Sequence, residues 1–102
     1  MYRASDEVAN EEWLAALDDA AERLDLPSET RSRAADLFLS TVPDGERSKQ
    51  PALAAAVYVA TLATGEARSQ GDVADALDVS RLSVQQRWKE LMTEAGLDPP
   101  SW

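Results

Sequence analysis

The fold is decided by residues 69–92, which read SQGDVADALDVSRLSVQQRWKELM. Ser69 and Ser80 each stand where a helix N-cap is expected, ahead of a run with helical spacing. This pattern predicts a short helix after Ser69, a turn at residues 78–80 and a longer helix after Ser80. The longer helix carries an apolar face of Val84, Trp88, Leu91, Met92 and Ala95. Two such helices indicate a helix-turn-helix anchored by Trp88, with a plain bundle corner as the alternative.

Composition predicts a single helical domain. Alanine, leucine, aspartate, glutamate and arginine dominate the 102 residues, while strand-favouring residues are sparse. That balance favours helix, and the length suits one domain with one core. We therefore expect an all-α fold over residues 1–102, with a short tail from about residue 97. No apolar run approaches the length of a membrane span, which predicts a soluble, cytoplasmic protein.

Proline and glycine divide the chain into five helices. We expect the first over about residues 6–25, and the second from its N-cap Ser28 to the turn before Pro43. Residues 46–50 are polar and predict a loop. The third helix then covers residues 51–63, which carry no charge and are apolar almost all round. A helix of that kind is typical of the buried centre of a domain.

The chain is strongly acidic, with 19 acidic against 10 basic residues and a net charge of −9. Lys49 and Lys89 are its only lysines. An acidic, lysine-poor surface suits a halophile's cytoplasm, because concentrated salt screens its self-repulsion. An ordinary acidic protein is the alternative interpretation.

The charge is unevenly distributed along the chain. Residues 1–30 hold 2 bases and 9 acids, whereas residues 31–50 hold 4 and 3. Residues 51–80 hold 1 and 4, and residues 81–102 hold 3 of each. A polyanion would therefore dock on residues 31–50 or on the last helix.

Two stretches resemble one cyclin-type repeat of archaeal transcription factor B and eukaryotic transcription factor IIB. They are SKQPALAAAVYVA at residues 48–60 and QGDVADALDVSRLSVQQRWKEL at residues 70–91. That family runs from a Gly-Arg-Ser loop through an alanine-rich helix ending in Tyr-x-Ala to a helix-turn-helix. The match is tight over residues 47–91 and looser before them. It implies a five-helix cyclin-like bundle in an archaeal, nucleoid-associated protein.

The resemblance implies a role in transcription initiation. The family's two repeats clamp TATA-binding protein on promoter DNA, and the last helix of the second repeat enters the major groove. The family's base-reading positions correspond to Leu82 and Gln85, its basic positions to Arg87 and Lys89, and its usual threonine to Ser83. The complete candidate DNA-binding set is Arg81, Leu82, Ser83, Gln85, Gln86, Arg87, Lys89, Arg47 and Lys49.

The sequence departs from the family at several points. The zinc ribbon of the family needs cysteine, which this chain lacks, and one repeat is present where two are expected. Gln85 replaces the usual arginine, so a bidentate guanine contact is lost, although glutamine can pair bidentately with adenine. Glu46 replaces the glycine of the loop. We therefore expect an excised repeat or a small stand-alone relative rather than a complete initiation factor.

Two functional hypotheses remain open. The chain is either a module that binds promoter DNA together with TATA-binding protein, or a cyclin-like domain that regulates transcription proteins without touching DNA. An enzyme is not expected, because the chain has no histidine, no cysteine and no phosphate-binding glycine loop. We expect no cofactor, no metal and no membrane partner.

Overall fold

The computed structural model describes residues 11–41 and 46–97, which form five α-helices joined by turns. In chain order these are α1 (Glu11–Arg23), α2 (Ser28–Ser40), α3 (Glu46–Ala63), α4 (Gln70–Ala76) and α5 (Arg81–Glu94). No strand occurs within these two ranges. The predicted all-α fold is therefore confirmed. The start of the predicted first helix, before residue 11, and most of the predicted tail, beyond residue 97, lie outside the described residues.

Helix α3 is the centre of the bundle. Its residues 52–61 are all buried, and it packs against each of the other four helices. Alanine side chains along α3 are small enough to let the surrounding helices approach closely. The prediction that this uncharged segment forms the buried core is confirmed.

Two helix starts differ from the sequence-based prediction. Helix α3 begins at Glu46, so the loop predicted over residues 46–50 is wrong. Pro51 is the sixth residue of this helix, so it leaves the Arg47 carbonyl without the backbone N–H that an α-helix would supply. Helix α2 begins with Ser28 itself, and Pro27 occupies the N-cap position without a side-chain hydrogen bond. The predicted capping role of Ser28 is therefore also wrong.

The predicted caps around α4 and α5 are confirmed. The N–H of Asp72 donates to the Ser69 hydroxyl at 3.0 Å, and the N–H of Ser83 donates to the Ser80 hydroxyl at 3.1 Å. Gly96 adopts a left-handed φ of 79° just beyond α5, as expected of a C-terminal glycine. These caps satisfy backbone groups that a helix end would otherwise leave unpaired.

Two turns among the described residues are closed by an aspartate, and we name them the first corner (residues 24–27, between α1 and α2) and the second corner (residues 77–80, between α4 and α5). Asp25 and Asp78 hold the left-handed conformation in these corners, with φ of 55° and 57°. The next N–H donates back into the preceding helix, from Leu26 to the Ala21 carbonyl at 2.9 Å and from Val79 to the Ala74 carbonyl at 3.0 Å. Both corners are therefore Schellman motifs closed by an aspartate.

A side chain from a distant segment ties each corner to the bundle. Arg68 donates to the carbonyls of Leu24 and Asp25 at 3.0 and 3.2 Å in the first corner. Gln50 donates to the Leu77 carbonyl at 2.6 Å in the second corner. The two corners are thus held at fixed positions against α3 and the α3–α4 loop. Within the described ranges, no helix is long and apolar enough to cross a membrane.

Candidate nucleic-acid interface

Helix α5 is held on the bundle by an aromatic anchor. Trp88 is only 2% exposed, and its ring meets Tyr58 of α3 edge-on at a centroid distance of 5.4 Å. Val84 and Leu91 are buried on the same side of the helix. This packing confirms the predicted role of Trp88 and determines which face of α5 points away from the core.

The face turned outward is formed by four side chains at positions i, i+3, i+4 and i+7, which we name the outer face. Its members are Leu82, Gln85, Gln86 and Lys89. Leu82 is a large apolar side chain with 57% of its surface exposed. The ammonium of Lys89 lies 5.5 Å from the centre of the Trp88 ring, so a cation–π contact holds the charge at the edge of this face. The outer face therefore offers amide donors and acceptors, an apolar tip and a cation, and contains no acid.

The start of α5 adds positive potential. Arg81 is exposed on the first turn, where the helix dipole also favours an anion. Ser83 is engaged differently, because its hydroxyl lies 2.9 Å from that of Ser80 and its N–H is already used in the cap. Ser83 thus belongs to the cap as well as to the predicted DNA-binding set.

Arg87 lies off the outer face. It follows Ser83 by one helical turn and precedes Glu90, which places it on a different side of α5 from Leu82 and Gln85. Arg87 is half-buried, and its Nε is buried without a hydrogen-bond partner among the described residues. The predicted residues of α5 are therefore divided between two sides of the helix.

The remaining predicted residues lie at the start of α3. Arg47 and Lys49 fall within the first turns of this helix, and Lys49 is half-buried. The side chain of Arg47 lies outside the described residues. Next to them, the hydrogen bond of Gln50 to the Leu77 carbonyl joins this end of α3 to the second corner. Sequence reasoning missed Gln50, since a long-range hydrogen bond leaves no mark in helical periodicity.

Acidic side chains lie immediately before α5. Asp72 and Asp75 of α4 and Asp78 of the second corner are all exposed. Where the structure describes the chain, no ion pair reaches these three carboxylates. Any polyanion that approaches α5 therefore meets a base-bearing helix with acid beside it. The same described ranges contain no group of side chains suited to a metal ion.

Comparison with protein families gives one match. Residues 14–94 match the family described as transcription factor TFIIB repeat. The matched range begins in α1 and ends at the last residue of α5, so it includes both corners and the outer face. No curated protein matches the sequence.

Proposed function

The chain belongs to the transcription factor TFIIB repeat family, and from this premise we propose that it binds promoter DNA through the outer face of α5, together with TATA-binding protein. The family is one of transcription-initiation factors, and its repeat is the cyclin-like all-α bundle described above. The main support for this proposal is the charge of the outer face. Its four exposed or half-exposed side chains include one base and no acid, although the chain as a whole has a net charge of −9.

In this proposal the second corner and its helices act as a helix-turn-helix, with α5 in the major groove. Gln85 pairs with adenine through its amide, and Leu82 packs on a thymine methyl group. Arg81 and Lys89 contact phosphates on either side, which orients the helix without reading sequence.

The other predicted residues have supporting roles in the proposed complex. Gln86 adds a polar contact from the outer face. Arg87, Ser83 and Lys49 lie off that face, and in the proposed complex they contact only the flanking phosphate backbone. We assign the same role to Arg47, from its position at the start of α3. Their contribution is therefore to overall affinity, while Gln85 and Leu82 account for specificity.

A titration of labelled promoter duplex, run from low to molar salt with and without TATA-binding protein, tests the proposal. We expect affinity to fall steeply with salt, because phosphate contacts release counterions, and association to be tightest with both components present. Promoter duplexes that differ at single base pairs measure sequence preference. With these duplexes, Gln85→Ala should reduce the preference at one base pair by about 1–3 kcal/mol. Unchanged discrimination at every base pair would contradict the assigned reading by Gln85.

A second function is supported by the acid beside α5. Asp72, Asp75 and Asp78 repel phosphates and favour a domain that contacts a transcription protein without touching DNA. The same titration separates the two functions. Capture of TATA-binding protein with no shift of DNA at any salt concentration supports the second function and contradicts the first.

We further propose a setting for the protein: the cytoplasm of a halophilic archaeon, at the nucleoid. The support is the acidic, lysine-poor composition, with 19 acids and only two lysines. In concentrated salt the Debye length falls to roughly 3 Å, so repulsion between surface carboxylates is screened. The thermal midpoint of unfolding should then rise as potassium chloride is raised to molar concentrations, and a flat or falling midpoint would contradict this setting.

A further inference from the structure

A groove runs between α1 and α4 and reaches the second corner. It consists of two adjoining cavities of about 420 and 300 Å³. Arg23, Asp75 and Ala76 line both cavities, so the two form one continuous depression. The groove ends at the second corner, where Leu77 and Asp78 line it.

The lining of the groove is mixed, and its accessible apolar side chains are Trp13, Ala16 and Ala76. Trp13 of α1 is half-buried there, and Leu53 and Leu77 are buried beneath it. Ala76 is small and half-buried, which keeps the middle of the groove open. A partner can therefore gain hydrophobic stabilisation by placing an aliphatic side chain against Trp13 and these alanines.

The rim of the groove carries net negative charge, with the four aspartates Asp19, Asp72, Asp75 and Asp78 against the two arginines Arg23 and Arg68. Its two arginines are already engaged: Arg23 pairs with Asp19 at 3.3 Å, and Arg68 donates its N–H groups to backbone carbonyls. The exposed carboxylates of Asp72, Asp75 and Asp78 have no ion-pair partner in the described part of the chain. The groove is therefore complementary to a segment that combines an apolar side chain with cations.

We propose that this groove docks a short basic segment of a partner protein, with a leucine-like side chain against Trp13, Ala16 and Ala76 and lysine or arginine side chains at the Asp75 rim. This inference goes beyond the proposed DNA binding and does not depend on it. Because the groove ends at the second corner, the docked cations lie beside the start of α5 and offset the acid that opposes DNA there. A bound partner and DNA thus assist each other.

Two labelled peptides of equal charge test the docking in the absence of DNA: Arg-Arg-Leu-Leu-Arg-Arg and Arg-Arg-Ser-Ser-Arg-Arg. Fluorescence anisotropy should show that the leucine peptide binds at least about tenfold more tightly, because only it buries apolar surface against Trp13 and the neighbouring alanines. It should also keep part of its affinity in molar salt, where the purely ionic contribution is screened. Equal binding of the two peptides would overturn the proposal, since an acidic surface alone would then explain the association.

Matched variants locate the site. Asp75→Asn should weaken the leucine peptide roughly twofold to fivefold, while Asp36→Asn, which removes the same charge from α2, should leave it unchanged. Ala76→Arg should abolish binding, because a long cation fills the groove and repels the peptide. Circular dichroism reports whether Ala76→Arg folds, and the aspartate pair decides the question if it does not. Equal weakening by Asp75→Asn and Asp36→Asn would place the peptide elsewhere and contradict the proposed groove.

A further measurement separates this inference from the proposed function. DNA affinity is measured with and without saturating leucine peptide, and we expect the peptide to raise it severalfold in the wild type and not in Ala76→Arg. Peptide binding without any DNA association would leave the groove established and contradict the DNA-binding proposal. Displacement of DNA by the peptide would overturn the mutual assistance.

Discussion

The two corners of the bundle share one backbone design but present different chemistry. Each consists of four residues with a left-handed aspartate, Asp25 or Asp78, and each is followed by a helix that packs on α3. Each is also tied down by one distant side chain, Arg68 or Gln50. Corner geometry alone therefore does not distinguish a nucleic-acid interface from a structural turn.

The difference lies on the exposed faces of the two following helices. At positions i, i+3, i+4 and i+7, α2 exposes Glu29, Ser32, Arg33 and Asp36, whereas α5 presents Leu82, Gln85, Gln86 and Lys89. The first face has two acids and one base, and the second has one base and no acid. Because phosphate contacts need local positive charge, the second face is the better match for the proposed DNA contact.

The largest expected effect tests whether the corners are equivalent in folding. Phe38 on α2 and Trp88 on α5 are each buried, at 0% and 2% exposure. Phe38→Ala and Trp88→Ala should each lower the free energy of unfolding by about 3–5 kcal/mol, because each leaves a cavity against the core. Urea denaturation measures both losses. A loss below about 1 kcal/mol for Trp88→Ala would show that α5 is not anchored as described.

The next largest loss of stability should come from removing the side-chain hydrogen bonds that hold the two corners. Arg68→Ala should cost about 1.5–3 kcal/mol, since it removes charge-assisted hydrogen bonds, and Gln50→Ala about 0.5–1.5 kcal/mol. Only Gln50→Ala should also weaken DNA binding, because its partner Leu77 belongs to the corner that positions α5. Equal DNA affinity of wild type and Gln50→Ala, under conditions where both are folded, would remove Gln50 from the positioning of α5.

The helix caps of the two corners should differ in their contribution to the free energy of unfolding, by less than the ties do. Ser80→Ala should cost about 1 kcal/mol, because the Ser83 N–H loses its acceptor. Ser28→Ala is the matched control in the first corner and should stay within about 0.5 kcal/mol, because Ser28 occupies the first helical turn and not the cap. Chemical denaturation compares the two variants. Similar losses for both would contradict the different cap assignments.

The smallest effect concerns the left-handed aspartates. Asp25→Gly and Asp78→Gly should each stabilise the protein by about 0.5 kcal/mol, since glycine adopts a positive φ without steric cost and this outweighs its greater freedom in the unfolded chain. Matching gains in the thermal midpoint would confirm that the two corners share one geometry. A gain in only one of them would show that their backbones differ in solution.

Much of the segment from Ser69 to Gly96, which contains the second corner, could be predicted from sequence, because its signals are local. Ser69, Ser80 and Gly96 are residues with strong positional preferences at helix ends, and Trp88 lies on a regular apolar face. The first corner was harder to predict, since Pro27 takes the cap position that Ser28 was expected to occupy. Aspartate in the left-handed position also carries a weaker sequence signal than glycine.

Features that depend on contacts between distant segments could not be predicted. Gln50 is 27 positions from Leu77, whose carbonyl it binds, and Arg68 is 44 positions from Leu24. Helical periodicity does not indicate contacts between such distant residues. The polar residues 46–50 have the composition of a loop, yet they form the start of α3. There the Gln50 side chain donates a hydrogen bond to the second corner. The groove between α1 and α4 likewise exists only once the helices are packed.

The claim that the outer face of α5 binds DNA is tested most directly by placing acidic side chains on this face. Leu82→Glu combined with Lys89→Asp gives α5 the acids that α2 carries, while Ser32→Glu combined with Arg33→Asp makes the same charge change on α2. In a duplex-binding titration at low salt, we expect the α5 variant to lose about a hundredfold in affinity and the α2 variant to stay within about twofold of wild type. Equal losses in both variants, or none in either, would contradict the assignment of DNA binding to the outer face of α5.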